Sequence, residues 1–347
     1  MRVLSRRAAA TAAIGAIALV TAVGCSAGAP AANGKGLEQS TIDIGLTGVG
    51  SISNVPLYLA DELGYFADEG LTVNLSALQG GTTAIQALIT NTVDATTNEY
   101  IHTIAAQQEG KHIQAIEVFS YAPTYALVTT KRSFGADVSD LQDKNIGVVS
   151  LGGSTEDLIT YVFSTNHLDP KAAHLVAVGA GSQQTAAVKG GELDALIATE
   201  PTLTTTLDEG LVKPLVDFRD PAVIDKMFGG PAPFWSLLVS DSFTKDNPHT
   251  AQALVSATVR ALHYIQEHTP AEVADHLPAE VFFPSGDRKL FEEILASASK
   301  SFSADGSMPD GGPQRIADYL KVAHPDEKLD GLDLDATYDT SFTAAAK

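Results

Sequence analysis

From residue 41 onwards, apolar and polar positions alternate between two rhythms. Thr41–Leu46 sets Ile42, Ile44 and Leu46 on one side, the two-residue period of a half-buried strand. Val55–Phe66 then carries its apolar side chains in one helical stripe, and Gly64 ends it. Leu71–Leu75 predicts a strand, Thr82–Thr90 a helix and Val93–Thr96 another strand. His112–Phe119 and Ala126–Thr130 follow, and a second series begins. It predicts strands over Asn145–Val149, Leu175–Val178 and Leu193–Ile197, with helices over Thr155–Asn166 and Gln183–Lys189. Between Pro248 and His268, Ala251, Leu254, Val255, Leu262 and Ile265 keep helical spacing. Two further helices are expected near Leu290–Ser301 and Pro313–Val322. Strands that alternate with helices in this way predict an α/β fold.

The two series share a signature. Gly81, Ala87, Asp94 and Ala95 recur 100 positions later as Gly181, Ala187, Asp194 and Ala195. Each set reads as a glycine turn, a helix, a stop at Asn91 or Gly190-Gly191, and a strand opening with hydrophobe-Asp-Ala. Asn and Gly suit the left-handed position that ends a helix. The repetition points to two lobes of one βαβ design facing each other across a cleft.

Ahead of both series stands a different pattern. Arg2, Arg6 and Arg7 precede an uncharged, Ala-rich run from Ala8 to Val23, followed by Gly24 and Cys25, the only cysteine. A basic head and a short apolar run before a small residue make a secretory signal over residues 1–24. The run is too short for a comfortable membrane span. Gly24-Cys25 resembles a bacterial lipobox, with Ala22 where Leu is more usual, which implies acylation of Cys25. Ser5-Arg6-Arg7 also resembles a twin-arginine signal but lacks the usual Phe-Leu. Residues 25–40, rich in Ala, Gly and Pro, read as a lipidated flexible tether with a reach of about 20 Å.

Charge and composition then exclude several classes. Loss of the first 24 residues removes three arginines and no acid, so the net charge moves from −20 to −23. Such a field repels nucleic acid. A lone cysteine excludes disulfides and C-x-x-C metal or redox sites. The nine histidines include no i, i+4 pair, and no metal site is expected. The chain has no G-x-S-x-G elbow, P-loop or G-x-G-x-x-G. No cofactor is expected.

The run Val55-Pro-Leu-Tyr-Leu-Ala-Asp-Glu-Leu-Gly-Tyr-Phe-Ala-Asp-Glu-Gly-Leu-Thr-Val73 carries a resemblance. With it go Gly80-Gly81, Ala84 and Ala87, Val93-Asp94-Ala95, Asp140-Leu141 before Asn145-Ile-Gly-Val-Val149, and Gly191-Glu-Leu-Asp-Ala195 before Glu200-Pro201. In order and spacing these pieces resemble the type II solute-binding proteins of ABC importers for sulfonates, taurine, nitrate and thiamine-precursor pyrimidines. The resemblance runs from about residue 41 to the C-terminus. It implies a two-lobe, periplasmic-binding-protein-like type II fold with a hinge and an interlobe cleft. It further implies a monomeric, lipid-anchored receptor at the outer face of the cell membrane that passes a small-molecule solute to an ABC permease. Lobe 1 is expected over 41–130 with 234–347, and lobe 2 over 131–233, with crossings near Tyr125–Lys131 and Pro233–Ser240.

Ligand contacts in such folds come from the carboxyl ends of strands. The candidates are Ser51 and Asn54, the turn Gly81-Thr82, Thr97-Asn98-Glu99, Tyr121, Gly153-Ser154-Thr155, Glu200 and Trp235. Turns at a helix start offer free N–H groups to an anionic oxygen; Thr82 and Thr155 serve equally as ordinary N-caps. Trp235, the sole tryptophan, either stacks on the ligand or packs the hinge. The candidate loops hold no Lys or Arg but do hold Glu99 and Glu200. That favours a sulfonate-bearing, taurine-like zwitterion, with a pyrimidine carrying N–H donors or an aromatic carboxylate as alternatives. No catalytic residue is expected. The rival classes are a pyrimidine synthase-like or lyase enzyme on the same fold, and a signalling or adhesion lipoprotein. The fungal pyrimidine-forming relatives carry a cysteine-rich motif that this chain lacks.

Overall fold

In the computed structural model, residues 36–346 are described, apart from 49, 79, 327, 328 and 330. The signal segment, Cys25 and most of the tether lie outside the described residues. Among those described, strands collect into two five-stranded sheets. The first contains β1 (Thr41–Leu46), β2 (Thr72–Ala77), β3 (Ala95–Glu99), β4 (Ile113–Val118) and β10 (Trp235–Ser240), in the order β2-β1-β3-β10-β4. The second contains β5 (Tyr125–Thr130), β6 (Asn145–Val148), β7 (His174–Ala177), β8 (Ala195–Thr199) and β9 (Val212–Asp217), in the order β7-β6-β8-β5-β9.

The two orders are the same plan used twice. β1 pairs in parallel with β2 and β3, as β6 does with β7 and β8. The strand returning from the other lobe is antiparallel in each case, β10 against β3 and β5 against β8. The 100-residue signature sits on equivalent places and does equivalent work. Asp94 Oδ2 accepts the Asp43 amide at 2.8 Å, and Asp194 Oδ2 accepts the Asn145 amide at 3.1 Å. Each carboxylate therefore pins the start of the central strand of its sheet, β3 or β8, to the neighbouring strand, β1 or β6. The helices before them, α2 (Gly81–Ile89) and α5 (Ser182–Gly190), are followed by left-handed residues, Asn91 at φ 53° and Gly191 at φ 69°.

Other helices cover the faces: α1 (Val55–Glu62), α3 (Ile101–Gln108), α4 (Ser154–Thr165), α6 (Pro221–Phe228), α7 (Pro248–Glu267) and α8 (Gly312–Ala323). Helical spacing buries Ala251, Leu254, Val255, Leu262 and Ile265 of α7. The helix expected over Val55–Phe66 breaks at Gly64, whose φ of 74° starts a separate turn, Tyr65–Asp68. α8 belongs to neither lobe alone: it packs on α3 from one side and on α4 and α6 from the other.

Two findings correct the sequence expectations. The crossings precede the strands on which they were placed, occupying residues 119–124 and 229–234. They bond to each other where the second passes into β10: the Phe234 amide donates to Ser120 O at 3.0 Å, and the Phe119 amide to O of Trp235, the first residue of β10, at 2.7 Å. The last residues given to the tether are also not free. Glu38 lies at the start of α7, where its carboxylate accepts the amides of His249 and Thr250 and the Thr250 hydroxyl, and contacts His249 Nδ1 at 2.6 Å. Asn247 offers α7 no side-chain cap, so Glu38 takes the first-turn N–H groups from a distant part of the chain.

Candidate functional site

β1 and β3 both end, and antiparallel β10 begins, at one edge of the first sheet. That edge carries the lobe 1 candidates. Asn54, fully buried, accepts the Thr97 hydroxyl at 2.6 Å and donates to Gly48 O at 2.7 Å. It thereby fastens the loop after β1 to the end of β3. Gly50 in this loop has φ 70°, and a Cβ there would stand 2.3 Å from Val281 O, so only glycine fits. Ser51 bonds the hydroxyl of Ser53 at 2.8 Å. Asn98 donates to Gly81 O at 2.9 Å and so fixes the start of α2. His102 packs against the same turn, where burial pushes its imidazole down to about 4 and keeps it neutral. Thr82 is exposed at the head of α2.

Glu99, at the end of β3, is the centre of the site. It is 7% exposed, and the Tyr125 hydroxyl from the second sheet donates to its Oε1. The Ser154 side chain, at the first turn of α4, hydrogen-bonds both groups. Burial pushes the Glu99 carboxyl up, opposed by the hydrogen bonds from Tyr125 and Ser154. Burial next to Glu99 also pushes the Tyr125 phenol well up, so it remains a donor. Glu99, Tyr125 and Ser154 thus tie the two lobes together beside the crossings. Trp235 stands directly opposite Glu99 in the β3–β10 register, so the two side chains share one face of the sheet.

Between the lobes Glu99, Tyr125 and Ser154, but not Trp235, border a cavity of about 10 Å³, room for roughly one water. Tyr100, Phe234 and Tyr319 form its aromatic wall, Leu158 and Ile316 add aliphatic surface, and no Lys or Arg lines it. Tyr161, Phe228, Phe234 and Tyr319 continue this wall as an aromatic cluster with ring centroids 5.1–5.9 Å apart. Asp157 of α4 and His324 just after α8 add a contact at 3.0 Å.

The remaining candidates are occupied elsewhere. The Tyr121 hydroxyl bonds Ser303 Oγ at 2.9 Å and Ser307 O at 3.0 Å. The Thr155 hydroxyl accepts the Val149 amide and is buried, while Gly153 begins α4 against Ser150. Glu200 turns into lobe 2, where Arg219 Nη1 meets it at 2.8 Å and both the amide and hydroxyl of Thr204 donate to it. Arg219 also holds Asp217 at 2.8 Å, so its charge is fully compensated. Tyr319 and Arg219 gave no sequence signal: Tyr319 lies within a helix, and Arg219, two residues past β9, shares no motif with its partner Glu200. Among the described residues, no group of three or more His, Cys, Asp and Glu could hold a metal ion. None of the described helices is long and apolar enough to cross a membrane.

Two α/β lobes, hinged by paired crossings around a polar junction, are the fold of the periplasmic solute-binding proteins of ABC importers. Residues 52–272 match the NMT1/THI5-like family, and the chain belongs to it. The 4-amino-5-hydroxymethyl-2-methylpyrimidine phosphate synthase of Aspergillus parasiticus is 27% identical over 290 residues, 81% of this chain and 80% of that protein. A solved protein of Bordetella bronchiseptica RB50 is 28% identical with a TM-score of 0.81, covering 89% of this chain and 98% of its own. The alkanesulfonate-binding protein of Xanthomonas axonopodis pv. citri, bound to MOPS, shares the fold at 16% identity and a TM-score of 0.65, with 89% and 98% covered.

Proposed function

We propose that this chain is an extracytoplasmic solute-binding lipoprotein of an ABC importer, acylated at Cys25. Its lobes close around one small polar organic solute and deliver it to a permease. The observation that carries this reading is the interlobe junction of Glu99, Tyr125 and Ser154, which can form only when the lobes meet. A solute bridging that junction stabilises the closed arrangement because both lobes then contact it.

The chemistry of the junction narrows the solute. A buried carboxylate with no unpaired cation beside it repels nitrate or a simple sulfonate and accepts N–H donors. An aminopyrimidine meets that requirement best, and a taurine-like zwitterion meets it through its ammonium group. The synthase name of the Aspergillus relative supports a second reading, an enzyme acting on a related pyrimidine.

A thermal-shift panel of taurine, an alkanesulfonate, nitrate, an aromatic carboxylate and 4-amino-5-hydroxymethyl-2-methylpyrimidine tests the reading. A ligand at 100 times its Kd adds about 2.7 kcal/mol of stability. Silence from the whole panel rejects the solute assignment, and turnover of any compound replaces the receptor by the enzyme. Mass spectrometry of the mature N-terminus tests the acylation.

A further inference from the structure

Lobe 2 holds a pocket far from the interlobe junction. Its volume is about 420 Å³, within the usual range of small-ligand pockets, whereas the interlobe cavity has room for roughly one water. β5 begins at Tyr125, in the junction, and ends at Thr130, beside the pocket, roughly 16 Å further on. Val188 near the end of α5 and Leu211 just before β9 belong to one apolar cluster and give the pocket its floor. Lys131, Arg132 and Lys189 stand around it, and Glu209 is the only acid of the lining.

The three cations are not equally committed. Lys189 Nζ meets both oxygens of Glu209, at 3.0 and 2.9 Å, so those two charges cancel. Arg132 gives Nε to Asp194 Oδ1 at 3.1 Å and Nη1 to Gly191 O at 3.0 Å. These bonds fix the guanidinium at the pocket wall and leave Nη2 without a partner among the described residues. The Lys131 side chain is exposed and makes neither a hydrogen bond nor an ion pair among the described residues. One uncompensated positive charge and one idle guanidinium nitrogen thus stand over an apolar floor, on a chain whose net charge is −20.

The duplicated plan shows that the fold itself does not require this arrangement. Val239 opposes Ala95 as Thr129 opposes Ala195, so Asp241 and Ser242 occupy in lobe 1 the places of Lys131 and Arg132. The 100-residue repeat puts Ile89 in the place of Lys189. In lobe 1 the chain turns at once into a helix, Asp241–Asp246, which buries Phe243 in the core. Asp94 pins β3 there with no ion pair among the described residues, whereas its counterpart Asp194 has Arg132. Lobe 2 therefore opens a pocket lined with cations where lobe 1 closes the same place with a helix and an acid.

We propose that this pocket is a second binding site, for a small organic anion with one carboxylate or phosphate group on an apolar body. Lys131 Nζ and Arg132 Nη2 hold the anionic group, and Val188 and Leu211 take the body. The pocket lies within one lobe, so its occupancy does not depend on closure, and the receptor reading stands or falls apart from it.

The full chain, isotope-labelled, is titrated with benzoate, phenyl phosphate and benzylamine while its amide resonances are followed. Both anions are expected to shift the amides of Arg132, Lys189 and Gly191 to saturation, and to bind more weakly as salt is raised. The tighter of the two tells carboxylate from phosphate, and benzylamine is expected to leave these amides unmoved. Lys131→Asp gives lobe 2 the acid that lobe 1 carries at this place. Because Lys131 is exposed and unbonded, the variant is expected to keep its melting temperature and lose anion affinity at least about fivefold. Shifts confined to Glu99, Tyr125 and Ser154 would put the anion between the lobes and overturn the second site. An equal response to benzylamine, an unchanged affinity in Lys131→Asp, or no saturable shift with either anion overturns it as well.

Discussion

Glu117, one strand away from Trp235 in the first sheet, is fully buried among apolar neighbours. The Thr258 hydroxyl donates to its Oε2, while Oε1 has no partner. Burial pushes this carboxyl well above the usual range, and only the Thr258 hydrogen bond opposes it. A folded-state pKa above the unfolded value means that stability is full at acid pH and declines as pH rises through the raised value. Glu99, also pushed up by burial, adds to the same slope. The melting temperature is therefore expected to fall as pH rises above the ordinary carboxyl range, and Glu117→Gln to flatten that fall. A calorimetric pH series on both proteins checks this; identical slopes would exclude Glu117 as the source. Residues at this scale were legible where position alone decides their setting. Glu99 and Ser154 stand at a strand end and a helix start, and the structure joins them through Tyr125, whereas Trp235 only faces Glu99 across the β3–β10 pair. Glu200 has the same kind of address, yet its setting depends on Arg219, which no local pattern joins to it.

At the scale of elements, periodicity located strands and helices to within a few residues, and local chemistry moved their ends. Gly64 split a continuous apolar stripe into two helices because its positive φ breaks the helical path while the stripe continues. The crossings were displaced because β5 and β10 are sheet strands from their first residues, with Tyr125 and Trp235 already in register. Composition marked residues 38–40 as tether, since a cap supplied by a remote carboxylate leaves no periodic trace. Burial would raise the Glu38 carboxyl, but the hydrogen bonds from His249 and Thr250 outweigh it and hold it at about 2. A depressed folded pKa contributes stability that is present above the unfolded value of 4.5 and lost as pH falls towards about 2. Glu38→Ala is expected to lower the melting temperature at neutral pH, speed amide exchange at His249 and Thr250, and change little near pH 2. Unaltered exchange at those two amides would show that the contact is absent in solution.

For the whole molecule, the duplicated plan was visible in advance because Asp94 and Asp194 perform one task in two sheets. The seam between the lobes was not, because its contacts join residues far apart in sequence and of ordinary type. Tyr319 of α8 is 3% exposed and meets Tyr161 and Phe228 across that seam, with ring centroids 5.1 and 5.4 Å away. Tyr319→Ala is expected to cost roughly 3–5 kcal/mol of stability, as large aromatic deletions do. Part of that loss should appear as lobe separation: a larger radius of gyration by X-ray scattering and weaker solute binding. A loss of stability with scattering unchanged would place Tyr319 in one lobe's core instead.

The paired crossings restrict how the lobes can move. Two adjacent chain segments, bonded to each other at Phe119–Trp235 and Ser120–Phe234, resist sliding and allow bending about a shared axis. Any movement of one lobe against the other would then follow an arc about that axis. Two unlinked halves would each forfeit translational and rotational freedom on meeting, a cost of several kcal/mol. Here the covalent frame has already met much of that cost, so under the proposed receptor function few polar contacts to a solute would be needed to hold the lobes together.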